Sequence, residues 1–227
     1  MKFFTPSVVS FAATLLFSLS AIKVHSLPTG PTLEKHAIEG LNNYNCKLTP
    51  AHPRPVILLH GTGLNVYSWS LFAPEMAKRG YCVFALTYGR YIRFSGLGGM
   101  APIEDSAREI GAFADEVMRK MNVSQVDIVG HSQGGILTRY WIKYLDGAGK
   151  VYRHVGVVSS HHGTTLYGIA TLGTALGLSY LLQVFADLFA PSLFQQVMNS
   201  TFIQKLNAGG DTSPGVIESN IATKYVF

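Results

Sequence analysis

Between Pro55 and Leu59 the chain reads PVILL, an apolar run of strand length with no polar alternation, as expected for a strand covered on both faces. Ser68 to Arg79 predicts a short helix stopped by Gly80. Tyr81 to Tyr88 (YCVFALTY), rich in aromatic and branched side chains, predicts a second strand. From Ile103 to Met121 the apolar residues fall at 103, 107, 110, 114, 117, 118 and 121, which is helical spacing, and Pro102 suits the first helical position. Val126 to Val129 predicts a third strand, Ile136 to Leu145 a helix ended by Asp146-Gly147, and Val155 to Ser159 a fourth strand. Phe194 to Leu206 again has helical spacing, and a final strand is expected around Val216 to Val226. No internal repeat is visible. Strands alternating with helices predict an α/β fold with a mostly parallel sheet and helices on both faces.

A chain of 227 residues is long enough for one sizeable domain, and 48% hydrophobic against 14% charged residues excludes a disordered one. The N-terminus changes the picture. Lys2 is followed by the apolar stretch Val8 to Ile22 (VVSFAATLLFSLSAI), and Val24-His25-Ser26 places small residues where a processing enzyme cleaves. Residues 1–26 therefore read as a secretory signal, with the mature, extracellular chain expected from Leu27; an uncleaved anchor is the alternative, for which the run is short. Without Lys2 and Lys23, 16 basic residues face 13 acidic ones and no cluster of Lys and Arg stands out, so the charge does not call for a nucleic-acid partner. Residues 27–53 form a polar lead-in rich in Pro, Asn and Thr, ahead of the domain expected over 54–227. Export favours oxidation, and Cys46 and Cys82 can form one disulfide or remain two buried thiols. The sequons Asn122-Val123-Ser124 and Asn199-Ser200-Thr201 are compatible with a secreted chain.

The chemistry centres on IVGHSQGG, residues 128–135. Ser132 sits in G-x-S-x-G between a predicted strand and a predicted helix, the context of a nucleophile elbow. Gly130 and Gly134 are the small residues needed where strand and helix approach closely, and the helix N-terminus directs free N–H groups at developing negative charge. His60-Gly61-Thr62-Gly63 follows the strand Pro55–Leu59 directly. As a bland reading it is a glycine-permitted turn. As a functional one it aims the Thr62 backbone N–H, together with that of Gln133, at a tetrahedral oxyanion.

The strings RPVILLHGTG (54–63), GYCVFALTYG (80–89), VDIVGHSQGG (126–135), HHGTT (161–165) and LNAGGDTSPG (206–215) resemble the secreted class 2 lipases of the α/β-hydrolase superfamily, over about residues 38 to 225. The resemblance implies the α/β-hydrolase fold, hydrolysis of carboxylic esters or triacylglycerols with Ser132 as nucleophile, no cofactor, and pairing of Cys46 with Cys82. It also implies an acid just after the strand that follows the GGDT turn and a histidine tens of residues later. Here that strand reads Asn220 to Phe227 and the given sequence stops, so acid and base are expected beyond it and the fold is expected to lack its C-terminal strand and helix. The chain as written is then expected to be inactive or weak, with its final strand an exposed edge. The alternative is a non-catalytic lipid-binding protein that keeps the groove.

After Ser132 come His154, expected just before a strand, and His161 and His162, expected at that strand's carboxyl end, from which either could approach Ser132. Asp211 reads as a turn-capping residue, and Asp146 and Asp187 read similarly. No carboxylate or cysteine accompanies the histidine pair at ligand spacing, so no metal is expected. Gly163 to Ala186 carries no charge. It is read as a lid or acyl groove spanning 163–190 and suited to a lipid–water interface, with buried core helices or a membrane span as alternatives.

Overall fold

In the computed structural model the described residues are 37–91, 96–165, 177, 184, 188 and 190–222. Residues 1–36, 92–95, most of the apolar segment 163–190, and 223–227 lie outside them, and with them the expected signal segment and most of the expected lid. Among the described residues, no helix is long and apolar enough to cross a membrane.

The apolar run forms β1 (Val56–Leu59), and its pleat divides the core in two. Ile57 and Leu59 face one cluster with Phe84 and Ile128, while Val56 and Leu58 face another with Val83 and Ala85. A 3-10 turn (Val66–Trp69) and α1 (Phe72–Lys78) contribute Trp69 and Ala73 to the second cluster. β2 is Val83–Ala85. α2 spans Ile103–Met121, the interval its spacing predicts. Pro102 stands one residue outside it, its carbonyl accepting from the Ser106 N–H at 3.0 Å. β3 (Val126–His131) leads into α3 (Gln133–Tyr144), and α2 and α3 cover the first cluster.

β4 runs Val151–Val157, displaced toward the N-terminus from the predicted 155–159. The polar triplet Tyr152-Arg153-His154 disguised its start: the Arg54 guanidinium lies 3.7 Å from the centre of the Tyr152 ring, and His154 is 1% exposed. Its end is set by Val158, which takes φ 48° and leaves the strand conformation. The helical window Phe194–Leu206 resolves into two helices, α4 (Pro191–Gln195) and α5 (Thr201–Asn207), the second capped by the Ser200 hydroxyl accepting from the Ile203 N–H. β5 is Ile217–Ile221.

The five strands are all parallel, in the order β2-β1-β3-β4-β5. Chain direction across the sheet reverses between β1 and β3. The connections leaving these two strands therefore lead to helices on opposite faces of the sheet, α1 over the second cluster and α3 over the first, the arrangement at which α/β sheets commonly bind ligands. The described part of the lead-in is joined to the outer side of β2, where Leu41 bridges Val83 and the Asn42 side chain bonds both the N–H and the carbonyl of Ala85. Cys46 and Cys82 are joined in a disulfide that fixes this segment to the start of β2.

Trp141, fully buried, donates its indole N–H to Asp146 at 2.9 Å and fills the space left by Gly111, where a β-carbon would come within 2.8 Å of that nitrogen. Trp141→Ala is expected to lower the unfolding free energy by about 3–5 kcal/mol. The exposed Ile217→Ala should change it by no more than about 0.5 kcal/mol. Urea titrations of the two variants give both values, and equal shifts would contradict this account of the core.

Candidate functional site

The register of the sheet builds the site. Leu59 of β1 pairs with Gly130 of β3, so Thr62 and Gln133, each three residues further on, emerge side by side at the carboxyl ends of these strands. Between them the chain turns at Ser132 with φ 51° and ψ −117°, a region a side-chain-bearing residue enters at a cost of roughly 1–3 kcal/mol. Close packing holds it there. A β-carbon on Gly134 would lie 2.5 Å from the Leu59 carbonyl oxygen, and one on Gly130 would lie 2.5 Å from the Gly134 carbonyl carbon. The Ser132 N–H donates to the Val157 carbonyl at 2.9 Å, and the Ser132 carbonyl accepts from the Gly135 N–H. Gly61 packs on the serine, its absent β-carbon 3.1 Å from the Ser132 Cβ. Ser132 is half-buried and therefore reachable.

The two residues expected to supply oxyanion donors, Thr62 and Gln133, lie beside each other, their side chains 2.9 Å apart. Gln133 is the first residue of α3, so its N–H has no acceptor inside the helix. The Thr62 N–H makes no backbone hydrogen bond among the described residues. The arrangement presents one hydroxyl and two adjacent N–H groups at a helix N-terminus, which can receive an acyl carbonyl whose oxygen gains negative charge.

Sequence reasoning did not find the side chains that hold the Thr62 turn. Gln133, completely buried, donates through Nε2 to Thr62 Oγ1 and to the Gly99 carbonyl, both at 2.9 Å. Gln196 donates to the same Thr62 Oγ1 at 2.8 Å, and Ser192 Oγ to the same Gly99 carbonyl at 2.6 Å. The doublet Gly98-Gly99 was the available signal of close approach: β-carbons there would press on His60 and on Gln133.

His60 belongs to the scaffold. Its ring stacks on Tyr88 with centroids 4.2 Å apart, and the Tyr88 hydroxyl donates to the His60 carbonyl. The Tyr88 N–H donates to Nε2, so the ring proton sits on Nδ1 and is given to the Gly61 carbonyl. Burial depresses its pKa to about 4, with the Gly61 bond opposing and His131 adding a smaller depression. His154 is inside β4, not ahead of it as expected, and burial drives its pKa down to about 3.

The later histidines line a separate cleft of about 400 Å³ beyond β4 and β5. His161 Nε2 lies 2.7 Å from Asn220 Oδ1, and its Nδ1 is buried without a partner. His162 Nε2 lies 3.1 Å from Asp211 Oδ2, and Asp211 also pairs with the buried Arg139 at 3.1 Å. Asp211 thus ties a turn to α3 rather than capping its own turn alone. Neither His161 nor His162 is hydrogen-bonded to Ser132. Among the described residues no three His, Cys, Asp or Glu side chains are placed to hold a metal ion.

The family model described as Lipase (class 2) matches residues 53–225. Among solved structures the chain is similar to Bacillus licheniformis lipase BlEst2 in its mature form, at 18% identity and a TM-score of 0.57, over 77% of this chain and 66% of that one. It is similar to Aspergillus fumigatus lipase B at 19% identity and 0.55, over 76% and 37%, and to phospholipase PlaB from Legionella pneumophila at 21% and 0.51, over 74% and 38%. The chain therefore spans at most 66% of the length of these structures. The five-stranded parallel sheet and these likenesses make the fold that of an α/β-hydrolase.

The buried histidines predict an acid-sensitive fold. Both are held neutral when folded, so below their ordinary pKa of 6.5 the unfolded chain binds more protons. Their stabilisation is complete above pH 6.5 and is lost as pH falls toward 4, by about 2–3 kcal/mol per ring at pH 4.5. Urea unfolding between pH 7.5 and 4.5 checks this, and the difference profile against His60→Gln isolates one ring. A difference independent of pH would contradict the assignment.

Proposed function

Because the chain belongs to the class 2 lipase family, we propose that it hydrolyses carboxylic esters or triacylglycerols through attack of Ser132 Oγ on the ester carbonyl. The backbone N–H groups of Thr62 and Gln133 receive the oxyanion, the alcohol leaves, and water releases the acid from the acyl-serine. One observation carries the reading: Ser132 holds a left-handed backbone at the reversal point of the sheet, between the N–H of Thr62, which makes no backbone hydrogen bond among the described residues, and that of Gln133, the first residue of α3. The Ser132 proton passes to a general base; neither His161 nor His162 is hydrogen-bonded to Ser132.

An apolar substrate surface is supported by the rim. Leu64, Tyr67, Leu71, Phe72 and Leu97 are all exposed, Leu71 at 86%. Two hydrogen bonds, from Gly98 N–H to the Leu64 carbonyl and from Asn65 Nδ2 to the Gly96 carbonyl, stitch together the loops that carry Leu64 and Leu97. These side chains suit contact with a lipid–water interface. Secretion is part of the reading, supported by the Cys46–Cys82 disulfide, since such bonds persist in oxidising compartments.

A second reading, lipid binding without turnover, is favoured by the absence of any bond from His161 or His162 to Ser132. Hydrolysis of p-nitrophenyl butyrate by the chain and by Ser132→Ala separates the two. Weak turnover that disappears in Ser132→Ala is the expected result. Equal turnover by both would overturn the role of Ser132, and tight fatty-acid binding with no turnover in either would favour the second reading.

A further inference from the structure

We propose that Gln196 is a positioning residue for ester hydrolysis, bracing the Thr62 turn from outside the elbow so that the Thr62 N–H faces the oxyanion. The proposal rests on the reading of Ser132, Thr62 and Gln133 given above. Its basis is a pair of shared acceptors. Thr62 Oγ1 takes one hydrogen bond from Gln133 and one from Gln196, and the Gly99 carbonyl takes one from Gln133 and one from Ser192. The turn is thus clamped at two points, each held once by the residue beside Ser132 and once by the 190–198 segment. Gln196 is only 4% exposed, and its Nε2 spends its second donor on the Ser192 carbonyl at 3.0 Å. Both hydrogens of that amide are engaged, which fixes the orientation of the group that holds Thr62.

The segment that presents Gln196 is itself anchored. The Thr164 N–H donates to the Gln196 carbonyl at 2.8 Å, and the Met198 N–H donates to the Thr164 carbonyl at 3.0 Å. Gln195 accepts the Ile103 N–H at the start of α2 and donates to Glu104. Gln196 therefore stands on a fixed base, and a donor on a fixed base can hold an acceptor in place. Thr62 needs that outer brace because its turn follows a β1 that ends at Leu59, with Gly61 and Gly63 offering no side chains of their own to pack.

An oxyanion donor acts on the transition state more than on the bound ester, so displacing it should lower kcat and leave KM for a short soluble ester near its original value. Gln196→Met keeps the length and bulk of the side chain and removes the donor. It is expected to lower kcat on p-nitrophenyl butyrate by about tenfold, less than the loss on deleting a donor outright. Combining it with Thr62→Val, which removes the shared acceptor and keeps the backbone N–H, should add little beyond Thr62→Val alone. Gln204→Ala on α5 is the control and should leave the rate unchanged, its amide being bonded to the Asn199 carbonyl.

Hydrogen exchange provides a readout that needs no turnover. In Gln196→Met, amides of residues 60–64 should exchange faster while those of α2 keep their protection. Gln196→Ala serves the same purpose if the Met variant fails to fold. Unchanged exchange at 60–64, a KM change without a kcat change, or additive losses with Thr62→Val would each overturn the proposal. If turnover by the parent chain survives Ser132→Ala, the reading of the site fails instead, and the exchange data still decide whether Gln196 braces the turn.

Discussion

The carbonyl of Leu59 and the backbone of Gly134 are in such close contact that no β-carbon fits between them. This approach lets α3 start directly over the end of β1, and it forces the link from β3 to α3 into the left-handed turn occupied by Ser132. A looser crossing would relieve the strain and also move the helix N-terminus away from the Thr62 turn. The glycines at 130 and 134 are therefore conditions for the site's geometry. Strain of this size persists only where the surroundings over-determine it, which here means the Val157 carbonyl, the packed Gly61 and the sheet register.

Around that turn the protein keeps charge out. His60 lies one residue from the packed glycine and is buried, stacked and bonded at both ring nitrogens, so it stays neutral over the range in which an exposed imidazole titrates. A cation there would place a full charge beside the Thr62 and Gln133 N–H groups proposed to receive the oxyanion. Neutral amides and hydroxyls do the fastening in its place. In a low-dielectric interior such bonds are strong when complete and costly when broken, so the clamp on Thr62 and Gly99 tends to hold as a unit.

Much of this was legible in the order of residues. The 3.6-residue period of 103–121 is unbroken and bounded by Pro102 and Asn122, so α2 emerged at its full length. The G-x-S-x-G and H-G-T-G strings located the elbow and the facing turn because those shapes demand glycine at set offsets. β4 was misplaced because a polar His154 reads as surface, and only pairing to neighbours on both sides reveals it as interior. The hold of Gln196 on Thr62 joins residues 134 positions apart, and no local periodicity encodes such a bond. The pairing of Asp211 with Arg139 and His162 was hidden for the same reason, since a carboxylate in a glycine-rich turn looks local until distant partners arrive.

The two margins of the sheet are unlike. Along β2 the Asn42 amide and the bridge at Leu41 occupy the groups that another strand would seek, and the disulfide keeps that stopper in place. Along β5 the side chains of Ile217 and Ile221 stand in solvent, and among the described residues no strand lies beyond them. Among the described residues, a strand approaching the β5 side would meet no such stopper, and it would lie next to the cleft of His161 and Asp211, away from the margin fixed by the disulfide.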